Sequence, residues 1–282
     1  MPRPSPDAER LAERHRLALF EVPRRGLAGE LLGRGTGSSL EFQDRRNYAP
    51  GDDVRHLDWR AMARSDQALV RVYREELLPR LELVLDLSRS MASDPDKAAR
   101  ALDLAYVFAR SAELASSEVR ITLCSERPER TDLERLRARD TAFEARAPLG
   151  IALAEAASLF TPGGLRVVIS DFLAPFDARE LVRPLAARSG GLVLLQVLSG
   201  FDRAPAVGTA LRLVDAESDE SLDAWLDEAT VDGYRRRLKH LIDGLEVETR
   251  RANGRFFSLD ASEPLALQID RDLIPAGVLA AS

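Results

Sequence analysis

The sequence predicts an α/β protein: a doubly wound, mostly parallel sheet with helices on both faces, preceded by an N-terminal helical and β extension. Three observations lead there. From Asp94 onward, apolar segments of strand length alternate with segments of helical period. The run Gly191 to Leu198 is nearly continuous and apolar, as an interior parallel strand is when both its faces are covered. No Pro/Gly/Ser-rich linker cuts this alternation into two bodies.

Taken in order, residues 7 to 32 place Leu11, Leu17, Leu19, Phe20, Leu27, Leu31 and Leu32 among charges, with Pro23 interrupting. This predicts two short amphipathic helices packed on the main body. Gly33 to Ser39 reads as a loop entering a strand at Leu40-Glu41-Phe42. The dense polar segment from Asp44 to Trp59 turns at Pro50-Gly51 and matches no simple element. Residues 68 to 74 and 80 to 87 predict two strands joined by a turn around Pro79. Then come helix 95–116, strand 118–123, helix 149–160, strand 165–170, helix 177–188 and strand 191–198. After Gly200 the pattern loosens into a strand at 211–214, a helix at 229–251 and a short strand at 255–258. We therefore read residues 1–77 as an extension and 78–282 as one domain with an irregular C-terminal part.

The 282 residues are 45% hydrophobic and 30% charged, the balance of a globular chain with a real core. Charges nearly cancel, 40 Lys+Arg against 46 Asp+Glu, which argues against a general nucleic-acid binder. Lys97 and Lys239 are the only lysines in that basic set. Cys124, the single cysteine, has no partner for a disulfide and reads as a buried small residue closing a strand. No Cys/His cluster has zinc-ligand spacing. The segment Pro2 to Arg16 lacks the apolar stretch of a signal peptide, and no run approaches the roughly 18 apolar residues that cross a bilayer. A cytoplasmic protein without a membrane span is expected.

The sharpest local feature is Asp86-Leu87-Ser88-Arg89-Ser90-Met91, between the end of a strand and the start of a helix. Ligands of doubly wound sheets bind outside the carboxyl ends of strands. An acid with hydroxyls at i+2 and i+4 offers hard oxygen donors suited to Mg²⁺ or Mn²⁺. The strand ending Ile169-Ser170-Asp171 brings a second acid to the same side if the two strands are neighbours. Asp and Ser are also common turn and cap residues, so the pattern alone does not make a site. Other signals are weaker. Gly33-x-Gly35-x-Gly37 follows a helix and precedes a strand, the reverse of a dinucleotide fingerprint. His15, His56 and His240 pair with no nucleophile, and surface or hydrogen-bonded roles are expected of them. The Arg235-Arg236-Arg237 cluster with Lys239 and His240 reads as a solvated helix face.

Asp86-x-Ser88-x-Ser90 with the later Ile169-Ser170-Asp171 resembles the von Willebrand factor A fold and its metal-ion-dependent adhesion site. The block Tyr48-x-Pro50-Gly51-Asp52-Asp53-Val54-Arg55-x-Leu57-Asp58-Trp59, then Ala63-Arg64 and Val70 to Glu76, resembles the hallmark of the bacterial domain-of-unknown-function family 58, from about Gly33 to Leu198. That resemblance implies a von Willebrand factor A-like domain, often encoded beside a MoxR-type AAA+ ATPase, with suggested roles in assembly or chaperone-like maturation. Many such relatives carry two transmembrane helices that this chain lacks.

The resemblance implies Mg²⁺ or Mn²⁺ on Asp86, Ser88, Ser90 and Asp171, held weakly because Ala147 stands where the adhesion site has a threonine. In a complete site the metal bridges to a partner's carboxylate. The expectation is a non-enzymatic interaction module docking on a MoxR-type ATPase or its client. Two alternatives are weighed against it: a metal-dependent hydrolase or phosphoryl-transfer enzyme, and a scaffold whose metal site has decayed. The enzyme is disfavoured because Ser88 stands where a second acid would be wanted and no lysine is seen placed to neutralise phosphate. For Tyr48, Asp52, Arg55, Asp58 and Trp59, a charge-paired network around a buried Trp59 is expected first and a partner-docking face second.

Overall fold

The computed structural model describes residues 5–18, 40–49, 57–65, 67–75, 80–138, 141–214 and 219–282. In chain order the elements are α1 (Pro6–Arg14), β1 (His15–Leu17), β2 (Leu40–Asn47), α2 (Trp59–Ser65), β3 (Leu69–Glu75), β4 (Arg80–Asp86), α3 (Pro95–Leu114), β5 (Glu118–Cys124), β6 (Glu129–Thr131), α4 (Leu133–Ala138) and α5 (Leu149–Ala157). They continue as β7 (Leu165–Ser170), α6 (Ala178–Ala186), β8 (Gly191–Leu198), α7 (Gly200–Arg203), β9 (Thr209–Val214), β10 (Ser221–Leu226), α8 (Glu228–Arg251), β11 (Arg255–Asp260), α9 (Leu265–Gln268) and β12 (Leu279–Ala281).

The chain forms two compact units, one of residues 1–23 with 79–282 and one of residues 24–78. In the larger, six strands run in the order β11-β8-β7-β4-β5-β6, all parallel except the antiparallel edge pair β5–β6. The chain leaves β4 for β5 and β6 on one side and returns to build β7, β8 and β11 on the other. The strand order therefore reverses at β4 and β7, the place where an open α/β sheet leaves a crevice. Strand alternation supplies two cores. On one face Leu81, Leu83, Leu85, Val167, Ile169, Val193 and Leu195 pack with Leu104, Phe108 and Ala112 of α3. On the other Val84, Val168, Leu192 and Leu194 pack with Leu149 and Leu153 of α5, Leu181 and Leu185 of α6, and Leu245 of α8. Helix starts are set by caps: Ser5 accepts from the Ala8 N–H, Asp94 from Asp96, Asp177 from Arg179 and Glu180, and Asp227 from Thr230. A Cβ on Gly190 would fall 2.5 Å from the Gly163 carbonyl oxygen, so glycine there lets the turns feeding β7 and β8 meet.

The main strands and helices match the sequence reading, with α5 and α6 shorter than expected. Three differences are informative. First, residues 1–77 are not one extension: α1 packs Ala8, Leu11 and Ala12 into the α3 side of the core, and β1 pairs antiparallel with β12 at the far end of the chain. His15 to Leu17 is therefore strand where the pattern predicted helix, because pairing with residues so distant leaves no local signature. The second predicted helix, beyond Leu17, falls mostly outside the described residues. Second, β9 pairs with β10, a strand the sequence reading missed, in a hairpin exposing Val214, Leu222 and Trp225. Third, β6 and α4 occupy a stretch between strand 118–123 and helix 149–160 to which the sequence assigned no element.

In the smaller unit β2 pairs antiparallel with β3, with an irregularity between Phe42 and Asp44. Leu57 bridges Val70, and α2 follows directly.

Candidate functional site

The register that sets Leu85 of β4 beside Ile169 of β7 brings Asp86 level with Ser170. The Ser170 hydroxyl donates to Asp86 Oδ2 at 2.6 Å. The chain then turns after Asp86, so that the Ser88 N–H donates to Asp86 Oδ1 at 2.9 Å and the Ser88 hydroxyl to Oδ2 at 3.1 Å. Ser88 and Ser90 hydroxyls lie 3.0 Å apart. Asp86, Ser88 and Ser90 thus form the expected cluster, with Ser170 as a member that the sequence reading did not single out. Burial first, then the charge of Asp171, pushes Asp86 up to about 6 against these hydrogen bonds.

Asp171 follows Ser170 and precedes Phe172, a buried residue at φ 52°, the left-handed region that non-glycine residues seldom adopt. Its Oδ1 accepts the Leu173 N–H at 3.0 Å, and its backbone carbonyl accepts from Gln196 Nε2 at 2.9 Å. Its Oδ2 is 2.7 Å from Lys97 Nζ, which also pairs with Asp202 Oδ2 at 3.1 Å. Lys97 is 1% exposed. Burial pulls its pKa down, but Asp171 and Asp202 more than offset this and hold it above the ordinary lysine value. The sequence reading saw no lysine placed to neutralise phosphate; the structure puts Lys97 at the strand ends, paired with two carboxylates. Lys97 is the third residue of α3, and the cap at Asp94 starts that helix where the side chain reaches Asp171. Asp202 arrives from after β8 in a capping box with Ser199. Neither contact has a local signature, although a lysine among so many arginines was a signal available in the composition.

The loop of the expected threonine does come to the site. Ala145 forms a parallel bridge with Ser88, the Ala145 N–H donates to the Leu87 carbonyl, and Arg89 N–H to the Ala145 carbonyl, each at 3.0 Å. Ala147 in that loop brings no hydroxyl. Arg89 and Arg146, one from each loop, converge at 2.6 Å on separate oxygens of Asp219, which precedes β10. Their hydrogen bonds, Arg89 first, hold the Asp219 carboxyl below the usual range. Cys124, level with Asp86 on β5, is buried, and burial then the charges of Asp86 and Glu155 push its thiol up.

Of the other singled-out residues, Asp52 and Arg55 lie outside the described residues. Asp58 is buried, and its Oδ1 accepts the Ala61 N–H at 3.1 Å, capping α2. Tyr48 is 37% and Trp59 60% exposed, so Trp59 is not the buried centre of a charge network. It is the first residue of α2, directly after the buried Asp58 cap. His15 is buried with Nδ1 2.7 Å from the Leu11 carbonyl oxygen, and the α8 cationic cluster is exposed, with Lys239 bridging to Asp243.

Comparison with known proteins places these residues in a family. The model of the "Protein of unknown function DUF58" family matches residues 44–240. The uncharacterized protein Rv1480 of Mycobacterium tuberculosis H37Rv and the uncharacterized protein Mb1516 of Mycobacterium bovis are each 32% identical over 227 residues, covering 74% of this chain and 71% of the relative. Among solved structures, the conserved hypothetical protein BatB from Bacteroides thetaiotaomicron aligns at 15% identity and a TM-score of 0.40, over 71% of this chain and 97% of that one. An aerotolerance-related membrane protein from Bacteroides fragilis NCTC 9343 aligns at 14% identity and a TM-score of 0.40, over 70% and 99%.

Proposed function

The chain belongs to the DUF58 family, and from that membership we propose that it is a non-enzymatic protein-interaction module whose partner is a MoxR-type AAA+ ATPase or the client of one. The observation that carries the reading is the exposure of Trp59. An exposed tryptophan, with an exposed tyrosine in the same block that marks the family, is the composition of a binding hot spot and an unusual use of surface. Asp58, its neighbour in the chain, is structural, so the block separates into a buried cap and an exposed aromatic face at Trp59.

The strand-end cluster supports binding over catalysis. Its acids are turned onto internal donors and onto Lys97, and the thiol nearest them is buried and pushed up rather than activated. No helix among the described residues is long and apolar enough to cross a membrane. The proposed partnership would have the module act where the ATPase is, in the cytoplasm.

The test is binding of a purified MoxR-type ATPase from the same cell to the wild type and to Trp59→Ala. The expected result is loss of at least ~2 kcal/mol of binding, roughly thirtyfold in Kd, at an unchanged unfolding midpoint. Equal binding by the two proteins would refute the aromatic face. Turnover of generic phosphoesters, abolished by Asp86→Ala, would refute the non-enzymatic reading.

A further inference from the structure

We propose that the Lys97 ammonium is the resident cation of the strand-end site: a tethered charge takes the place a divalent ion holds in a complete adhesion site, so the protein works without bound metal. The inference concerns the chemistry of the site and does not rest on the choice of partner.

The donor set fits an internal ammonium better than Mg²⁺. The loop against Ser88 carries Ala147 where a hydroxyl ligand would be needed. Both oxygens of Asp86 are engaged, Oδ1 by the Ser88 N–H and Oδ2 by the Ser88 and Ser170 hydroxyls. Both oxygens of Asp171 are engaged too, Oδ1 by the Leu173 N–H and Oδ2 by Lys97. Among the described residues, no group of three or more His, Cys, Asp or Glu side chains converges as metal ligands. Mg²⁺ needs octahedral oxygen geometry and gives up its water reluctantly, so it competes poorly for carboxylates already satisfied.

Charge points the same way. A divalent ion on Asp171 would sit against an ammonium that the fold cannot move aside, because Lys97 is 1% exposed and pinned on its other side by Asp202. The choice of residue is informative as well. This chain meets nearly all of its cationic needs with arginine, yet places one of two lysines here. A compact ammonium on a flexible stem can sit between two carboxylates as a point charge.

The experiment is calorimetric titration of Mg²⁺ and Mn²⁺ into metal-stripped wild type, Lys97→Met, and Lys97→Met with Asp171→Asn. Wild type should give no saturable heat, Lys97→Met should gain weak but saturable binding because the excluding charge is gone while Ala147 still brings no hydroxyl, and the Asp171 change should remove that binding. Lys97→Gln, which keeps a donor for Asp171, serves if the methionine variant does not fold. In parallel, the unfolding midpoint of the wild type should not move with added Mg²⁺ or with chelator. Saturable wild-type binding that Asp86→Ala abolishes would overturn the proposal. So would a folded Lys97 variant that still takes no metal, for then the lysine replaces nothing. These titrations use the isolated protein, so their failure is separable from failure of the Trp59 binding assay.

Discussion

Replacing Lys97 by methionine keeps most of the aliphatic stem and deletes the charge, which isolates the electrostatic role of the residue. At an effective dielectric of about 20, the contacts at 2.7 Å to Asp171 and 3.1 Å to Asp202 carry gross attractions of about 6 and 5 kcal/mol. Desolvating the three groups offsets most of this, so the intact cluster adds little net stability. Breaking it is another matter, because Asp171 is left 3% exposed with only the Leu173 N–H on its carboxylate. Loss of one partner from such a buried pair costs about 3–5 kcal/mol. Adding Asp171→Asn removes the stranded charge, keeps an acceptor for Leu173, and should bring the total loss below about 2 kcal/mol. Urea unfolding at pH 7 measures both changes, provided the slope with denaturant is unchanged. Lys97 stands above its ordinary pKa, so its contribution is fully present below about 10.4 and is lost only as pH rises through the folded value; neutral pH is within the window. Additive losses in the double variant, with coupling near zero, would refute the claim that Lys97 acts on Asp171.

Two further outcomes follow from the same region. Asp86, at about 6 when folded against 3.8 ordinarily, binds a proton in the folded state that the unfolded chain lacks between those values. The Asp86 contribution to stability should therefore rise by about 2 kcal/mol as pH falls from 7 to 4. Asp86→Asn, whose amide can donate to the rotatable Ser88 and Ser170 hydroxyls, should flatten that slope and be the more stable protein at pH 8. A less stable Asp86→Asn at pH 8 would refute the account. Asp219→Ala should leave the global unfolding midpoint in place but speed hydrogen exchange in β9 and β10, since an exposed clasp holds a hairpin without supporting the core. Because Asp219 is held below its ordinary value, the clasp persists above the unfolded carboxyl pKa and is lost as pH falls through the folded one; high salt should also mimic the mutation.

How much was legible in the sequence divides by the range of the interaction. Asp86, Ser88 and Ser90 could be read as a cluster because they are contiguous, and Asp171 because an apolar run ending in an acid marks the same end of a parallel strand. The order of those strands in the sheet was not written in either segment, yet only the adjacency of β4 and β7 makes the two acids neighbours. Trp59 was read wrongly because the average burial of tryptophan is a tendency of the residue type and says nothing about which face of a particular short helix packs. Lys97 was missed for a related reason: its direction depends on where α3 starts, and its second partner lies beyond β8. The motif that reads as a metal site is therefore only half of the electrostatic unit. Its meaning depends on a cation carried by another element, and a sequence that keeps the acids and hydroxyls of an adhesion site can still have exchanged the ion for a side chain.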